Sequence, residues 1–187
     1  MRIIDLSKPF SLEEYRSDRH HGTHIDSPAY LSREGRKIGA FELKRFFCDG
    51  VILDLTHKKP GEPIDDEDLE AAEESAGLAL REEEAVVLHT GVGDSSQFGE
   101  RNIFLSQNGA EYLEFKGVSL VGIDSEALDD AEESGLSAHR VLLGKDILVL
   151  EGLCSLGAID SSRFKLASFP LNSNAAVSPV RAVAILD

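Results

Sequence analysis

The sequence predicts an α/β fold: a single compact domain over residues 1–187, built as a mixed β-sheet with flanking helices. Three observations lead there. Short runs rich in β-branched and apolar residues recur along the whole chain between turn formers. Helical patterns lie between some of them. Several of the runs are apolar at nearly every position, as expected of strands covered on both faces. A chain of 187 residues can bury roughly 70% of the surface its unfolded form exposes, so one core suffices. No internal repeat or low-complexity tract divides it.

The strand-like runs are Arg2–Leu6, Val51–Leu55, Ala85–His89, Val118–Ile123, Asp146–Leu150, Phe164–Phe169 and Val180–Leu186. Helices are expected over Asp65–Leu80, which opens on acids and is rich in Ala, Leu and Glu, and over Ser106–Lys116 and Glu126–Ser134, each with a glycine just beyond. Ser11-Leu-Glu-Glu14 has capping-box spacing and predicts a short helix after the first run. The acidic stretches Asp65-Asp-Glu-Asp-Leu-Glu and Asp129-Asp-Ala-Glu-Glu lack calcium-loop spacing and read as solvated helix faces. The loop Gly91-Val-Gly-Asp-Ser-Ser-Gln-Phe-Gly lacks the Gly-Lys-Ser/Thr ending of a phosphate loop and reads as a loop near the site.

Charge narrows the function. Nineteen Lys and Arg against 34 Asp and Glu leave a net charge of −15, which repels nucleic acid and anionic membrane. Two cysteines, Cys48 and Cys154, are too few for a disulfide framework and suit a reducing compartment. The Met-Arg-Ile-Ile-Asp start lacks the apolar run of a signal peptide, and no stretch approaches 18 apolar residues. A soluble, cytoplasmic protein is expected.

Three of the six histidines fall within five residues, in His20-His21-Gly22-Thr23-His24, followed by Ile25-Asp26-Ser27-Pro28. Imidazole and carboxylate together suit zinc, manganese or iron(II). Gly22 and Pro28 argue against a regular helix. In an extended segment His24 and Asp26, two residues apart, point the same way and can share one ion. His139, beside an apolar stretch, and Glu151, closing the apolar run Asp146–Leu150, are further candidates. A carboxylate there is costly to bury unless it meets a cation. Each alone reads more simply as structural. His57 and His89 read as strand-end contacts, and His21 as a bystander.

On these residues the chain resembles the metal-dependent cyclase family, which includes bacterial kynurenine formamidases (arylformamidases) and related amide and lactam hydrolases. Against the family motif His-x-Gly-Thr-His-x-Asp-x-Pro-x-His this chain reads His20-His-Gly-Thr-His24-Ile-Asp26-Ser-Pro28-Ala-Tyr30, matching every fixed position but the last. The likeness continues through Gly50–His57, Leu88–Gly91, Leu120–Ser125, His139–Leu143, Glu151–Leu153 and Ser178–Ala182. The resemblance implies a cyclase-type (swivelling β/α/β-like) fold, a homodimer or higher homo-oligomer, and one or two divalent ions, zinc or manganese, per chain. It places metal ligands at His20, His24, Asp26, His139 and Glu151.

Tyr30 stands where the family's last motif histidine would, and a phenol with a pKa near 10 is a poor substitute for neutral imidazole. A one-ion site is then a clear alternative. The segment between Ser7 and His20 is also shorter than in relatives, and the chain has no Trp. The resulting expectation is hydrolysis of an amide-type C–N bond in a small-molecule substrate by an activated water. His139 or Glu151 would bind a second ion or carry the proton. Tyr30, on our own reading, would donate to the developing oxyanion. Thr23 and Asp124 are expected to orient ligands by hydrogen bonds. The alternative is a non-catalytic dimeric module that keeps the fold and binds a metal or ligand.

Overall fold

The computed structural model describes residues 1–8, 13, 20–94, 102–130, 132 and 135–187. Ten strands appear there: β1 (Arg2–Asp5), β2 (His24–Asp26), β3 (Phe47–Asp54), β4 (Pro63–Ile64), β5 (Ala85–His89), β6 (Phe104–Leu105), β7 (Leu120–Ile123), β8 (Leu148–Glu151), β9 (Arg163–Pro170) and β10 (Val177–Leu186). Three helices accompany them: α1 (Asp66–Ala76), α2 (Gln107–Phe115) and α3 (Ser137–Leu143).

All seven runs read from the sequence are strands, and β2, β4 and β6 are additional. Three residues and two residues are too short to show a period, which is why these escaped. The Asp65 amide donates to Asp68 Oδ2 at 2.9 Å and starts α1. Gly77, at φ +62, ends the helix short of Leu80 by turning left-handed, a conformation that costs glycine nothing. The Ser106 hydroxyl accepts from Gly109 N–H at 3.1 Å and caps α2. The helix expected over 126–134 is corrected for the described residues: 126–130 are bends and irregular chain, and the helix that follows them is Ser137–Leu143, while 131, 133 and 134 lie outside the described residues. Ser11, Leu12 and Glu14 of the expected first helix lie outside the described residues, as do 95–99 of the glycine-containing loop.

The sheet is mixed. Strands β3, β5, β7 and β8 run parallel in that spatial order. From β8 the order continues antiparallel through β2 to β10. Strand β9 pairs with both β10 and β3, so the ladder returns on itself, and β1 lies along the far half of β10. Alternate side chains of each strand then face two separate cores. Ala85, Val87, Leu120, Leu148, Leu150, Ile25, Leu166 and Ala182 pack in the inner one. Val86, Leu88, Val121, Ile123 and Val149 face outward against Leu69, Leu113 and Leu142 of the helices. This double coverage is why the parallel strands read as unbroken apolar runs.

Candidate metal centre

The site forms where β2 lies antiparallel along β8, with Glu151 at the carboxyl end of β8. In the β2–β8 ladder His24 lies directly opposite Glu151, and Asp26 opposite Val149. Ile25 and Leu150 turn inward, so His24, Asp26 and Glu151 share the outer face. His139 enters the same face from α3, 113 residues from Asp26 in sequence. His20 precedes β2.

The five side chains read as ligands from the sequence stand together. His24 Nε2 is 3.0 Å from Glu151 Oε2 and 3.9 Å from Asp26 Oδ1. His20 Nε2 is 4.0 Å from Asp26 Oδ1. His139 Nε2 is 3.3 Å from Asp26 Oδ2 and 3.5 Å from Glu151 Oε1. His24 and Asp26 are fully buried, and Glu151 and His139 are 3% exposed. Ligand atoms from His24, Asp26 and Glu151 all fall within 4.8 Å of one another.

A divalent ion fits this set. Tetrahedral bonds of about 2.0–2.1 Å put neighbouring donors roughly 3.3 Å apart, close to the spacings seen. Asp26 Oδ1 and His24 Nε2 are also buried without a hydrogen bond, the imidazole nitrogen standing near Glu151 out of alignment. Buried polar atoms left in that state are rare and costly, and a cation would satisfy both. The charge balance points the same way. Burial disfavours charge on His24, yet Glu151 and Asp26 outweigh it and raise its pKa well above the usual imidazole range. His139 is raised likewise, against burial, by Asp129, Asp26 and Glu151. Glu151 would be raised by burial, but the two histidines hold it far below the usual carboxylate range. Without an ion, protons on the imidazoles supply the positive charge that the carboxylates require.

Supporting contacts fix the frame. The Thr23 hydroxyl donates to Gly152 O at 2.6 Å and accepts from Lys8 N–H at 2.8 Å, tying the start of β2 to the residue after Glu151. Gly152 has φ +67, and a Cβ there would sit 2.6 Å from Gly22 O. Only glycine permits this crossing of two chains. The Leu128 amide donates to Glu151 Oε1 at 2.6 Å. Asp124 turns to another partner: its carboxylate accepts from Thr90 N–H and Oγ1 and from Gly91 N–H, holding the turn after β5. Tyr30, half-buried in a 3-10 turn, packs its ring 4.8 Å from that of His20 and 5.5 Å from that of His139. His57 is exposed, His89 borders Gly157 at the end of β5, and His21 is exposed.

The residue that sequence reasoning missed is Asp129, taken there for part of a solvated face. It is 4% exposed. Its carboxylate accepts from Ala138 N–H at 2.7 Å and from His139 N–H at 3.3 Å, and it bonds His139 Nδ1. It thus caps α3 and aims the His139 ring. Position in the acidic run was the only local sign.

A family model described as "Putative cyclase" matches residues 4–130. The chain is 30% identical over 188 residues to a kynurenine formamidase of Bordetella petrii, covering 94% of this chain and 80% of the relative. A structure titled as a potential metal-dependent hydrolase with cyclase activity superposes with a TM-score of 0.83 at 23% identity, covering 98% of this chain and 96% of that one. Isatin hydrolase A of Labrenzia aggregata, solved with benzyl benzoate, gives 0.85 at 17% identity, covering 100% and 94%. These two structures are likenesses of fold.

Proposed function

The chain belongs to the cyclase family and is a metal-dependent hydrolase of amide-type C–N bonds, and from that premise we propose an arylformamidase-like reaction on a small aryl amide. The observation that carries this reading is the fully buried His24–Asp26 pair facing Glu151, with donor atoms that lack hydrogen bonds. His20, His24, Asp26, His139 and Glu151 form the set that holds metal and moves protons. Zinc and manganese both suit two imidazoles with carboxylates. A divalent ion bound there lowers the pKa of water towards about 7 and polarises the scissile carbonyl.

The chain's own groups do the rest. His139, with Nδ1 fixed by Asp129, presents Nε2 to the pocket. With a bound ion taking the place of the positive charge on the imidazoles, the neutral ring would take the proton of the attacking water there and return it to the leaving nitrogen. Glu151, kept ionised by its two histidine neighbours, stabilises the imidazolium formed on the way. The Tyr30 hydroxyl, on a ring beside both His20 and His139, donates to the developing oxyanion. Thr23 and Gly152 hold the two ladders in register so that these atoms stay in place.

The site acts on a small molecule. None of the helices among the described residues is long and apolar enough to cross a membrane. Cys48 and Cys154 are free thiols, which supports a cytoplasmic setting. The exposed Phe47–Phe169 stack supports a homodimer, read by light scattering on the purified protein.

The test is hydrolysis of an aryl formamide panel with added zinc or manganese, beside His24→Ala. Turnover that needs metal and falls by about 10³-fold or more in the variant is expected. Full activity in His24→Ala, or in protein stripped of metal, would refute the assignment.

A further inference from the structure

A cavity of about 430 Å³ opens at the amino ends of β3, β5, β7 and β8, the opposite end of the parallel strands from Glu151. Its size falls within the range of about 300–1,000 Å³ that takes small molecules. The chain carries a net charge of −15, yet cations and acids stand here in equal number. Most of them are paired. Lys165 meets Asp49 at 2.6 Å, Lys145 meets Glu114 at 2.9 Å, Lys44 meets Glu42 at 3.6 Å, and Glu84 is held by Arg163. Among the described residues, Arg45, Glu82 and Glu83 form no ion pair.

Arg45 is half-buried. Its Nη2 donates to Ser119 O at 2.6 Å and to Asp146 O at 2.5 Å, tying the starts of β7 and β8 together. The Asp146 carboxylate is taken by Arg36 at 3.3 Å. The guanidinium therefore faces carbonyls alone, and Nη1 makes no hydrogen bond among the described residues. Burial, and then the Arg36 charge, hold its pKa below the usual arginine value. A partly desolvated cation without a counter-charge is costly, and a planar fork with a spare nitrogen suits a carboxylate. The acids are held in place by an uncommon turn. Glu83 has φ +64, a left-handed conformation rare for a long side chain, and its N–H donates to Gly117 O at 2.9 Å. The Glu82 stem lies over Gly117, where a Cβ would come within 3.1 Å of it. Val118 and Ile147, both buried, add an apolar wall.

We propose that this cavity binds an α-amino acid as its zwitterion, with the carboxylate on Arg45, the ammonium on Glu82 and Glu83, and an apolar side chain against Val118 and Ile147. A simple anion would be repelled by the two acids, and a simple amine by the arginine. Only a ligand carrying both charges answers each group. The site is separate from the metal centre and needs no ion.

The experiment is calorimetric titration of the full, metal-loaded chain with three probes: L-leucine, isocaproate, which is leucine without its amine, and isoamylamine, which is leucine without its carboxylate. Leucine is expected to bind in the millimolar range or tighter. Each truncated probe should bind about tenfold or more weakly, because it loses bonds to a charged group. The double variant Glu82→Gln, Glu83→Gln, both at the exposed rim, should bring leucine down to the level of isocaproate and leave isocaproate no weaker. Arg45→Lys keeps the charge but loses the fork, and should weaken leucine and isocaproate while sparing isoamylamine. His24→Ala should leave leucine binding unchanged, which separates this cavity from chelation at the metal centre. No binding of leucine, equal binding of leucine and isocaproate, or loss of leucine binding in His24→Ala would each overturn the proposal while leaving the hydrolase reading intact. The three probes on the unmodified chain, with the double glutamine variant, decide the matter even where Arg45→Lys fails to fold.

Discussion

Replacing Asp129 by Asn tests the support of the site most directly, because the change is nearly isosteric and removes only charge and one acceptor. Asp129 now accepts from Ala138 N–H at 2.7 Å, Ser137 Oγ at 3.4 Å and His139 N–H at 3.3 Å, and bonds His139 Nδ1. An amide can keep the first two on its oxygen. Its NH2 group then meets the His139 N–H, a donor, and that bond is lost. The same NH2 forces Nδ1 to accept, so the ring's proton moves to Nε2, where a neutral imidazole can no longer act as the base. Bonds to charged groups are worth about 1.5–3 kcal/mol, and neutral ones about half. One bond lost and two weakened come to about 3 kcal/mol, or roughly 10 °C in Tm for a chain of this size. Turnover should fall about 10²-fold through the wrong tautomer. The assay is thermal unfolding of the metal-free protein, then turnover of a formamide and metal titration on the same sample. A Tm within about 2 °C of the parent and unchanged turnover would refute the reasoning, and Asp129 would be an ordinary surface acid.

Three further outcomes follow from other parts of the structure. Gly152→Ala places a Cβ 2.6 Å from Gly22 O at φ +67; a loss of about 1–3 kcal/mol in chemical unfolding is expected, with weakened metal binding, and an unchanged midpoint would contradict the crossing. His24 and His139 are raised above the usual imidazole value without metal, so their stabilisation is complete below about pH 6.5 and fades as pH rises through the raised values. Metal loading near neutral pH should therefore release protons, read by calorimetry in buffers of different ionisation heat; a buffer-independent heat would contradict it. Glu73, buried between α1 and α2, accepts from Leu80 N–H at 2.9 Å and pairs with Lys116 at 3.1 Å. Burial alone would raise its pKa, but Tyr112, Leu80 and Lys116 lower it. Its contribution is thus present above the ordinary glutamate value and lost as pH falls, and Glu73→Gln should cost about 1–3 kcal/mol at neutral pH while flattening the acid limb of the stability curve.

The strands of the parallel half were legible because double burial writes a continuous apolar run, and α1 and α2 because caps and acids mark their starts. The helix expected over 126–134 failed for an instructive reason. Its acids and alanine carry helical propensity, but Leu128 is drawn to Glu151 Oε1 and Leu105, and Asp129 is drawn under α3. Tertiary hydrogen bonds outweighed a weak local preference.

By itself the sequence determined an α/β chain with strands covered on two faces, the family motif at His20–Tyr30, and the shared direction of His24 and Asp26, which follows from a period of two. These are local properties, carried by neighbours along the chain. Only the tertiary structure decided what stands opposite what. The β2–β8 register sets Glu151 against His24, α3 brings His139 to Asp26 across 113 residues, and the two oxygens of each carboxylate face different partners. Asp129 could not be assigned for the same reason: a carboxylate's role depends on whether its neighbours are water or a buried imidazole, and that is settled by packing between distant segments.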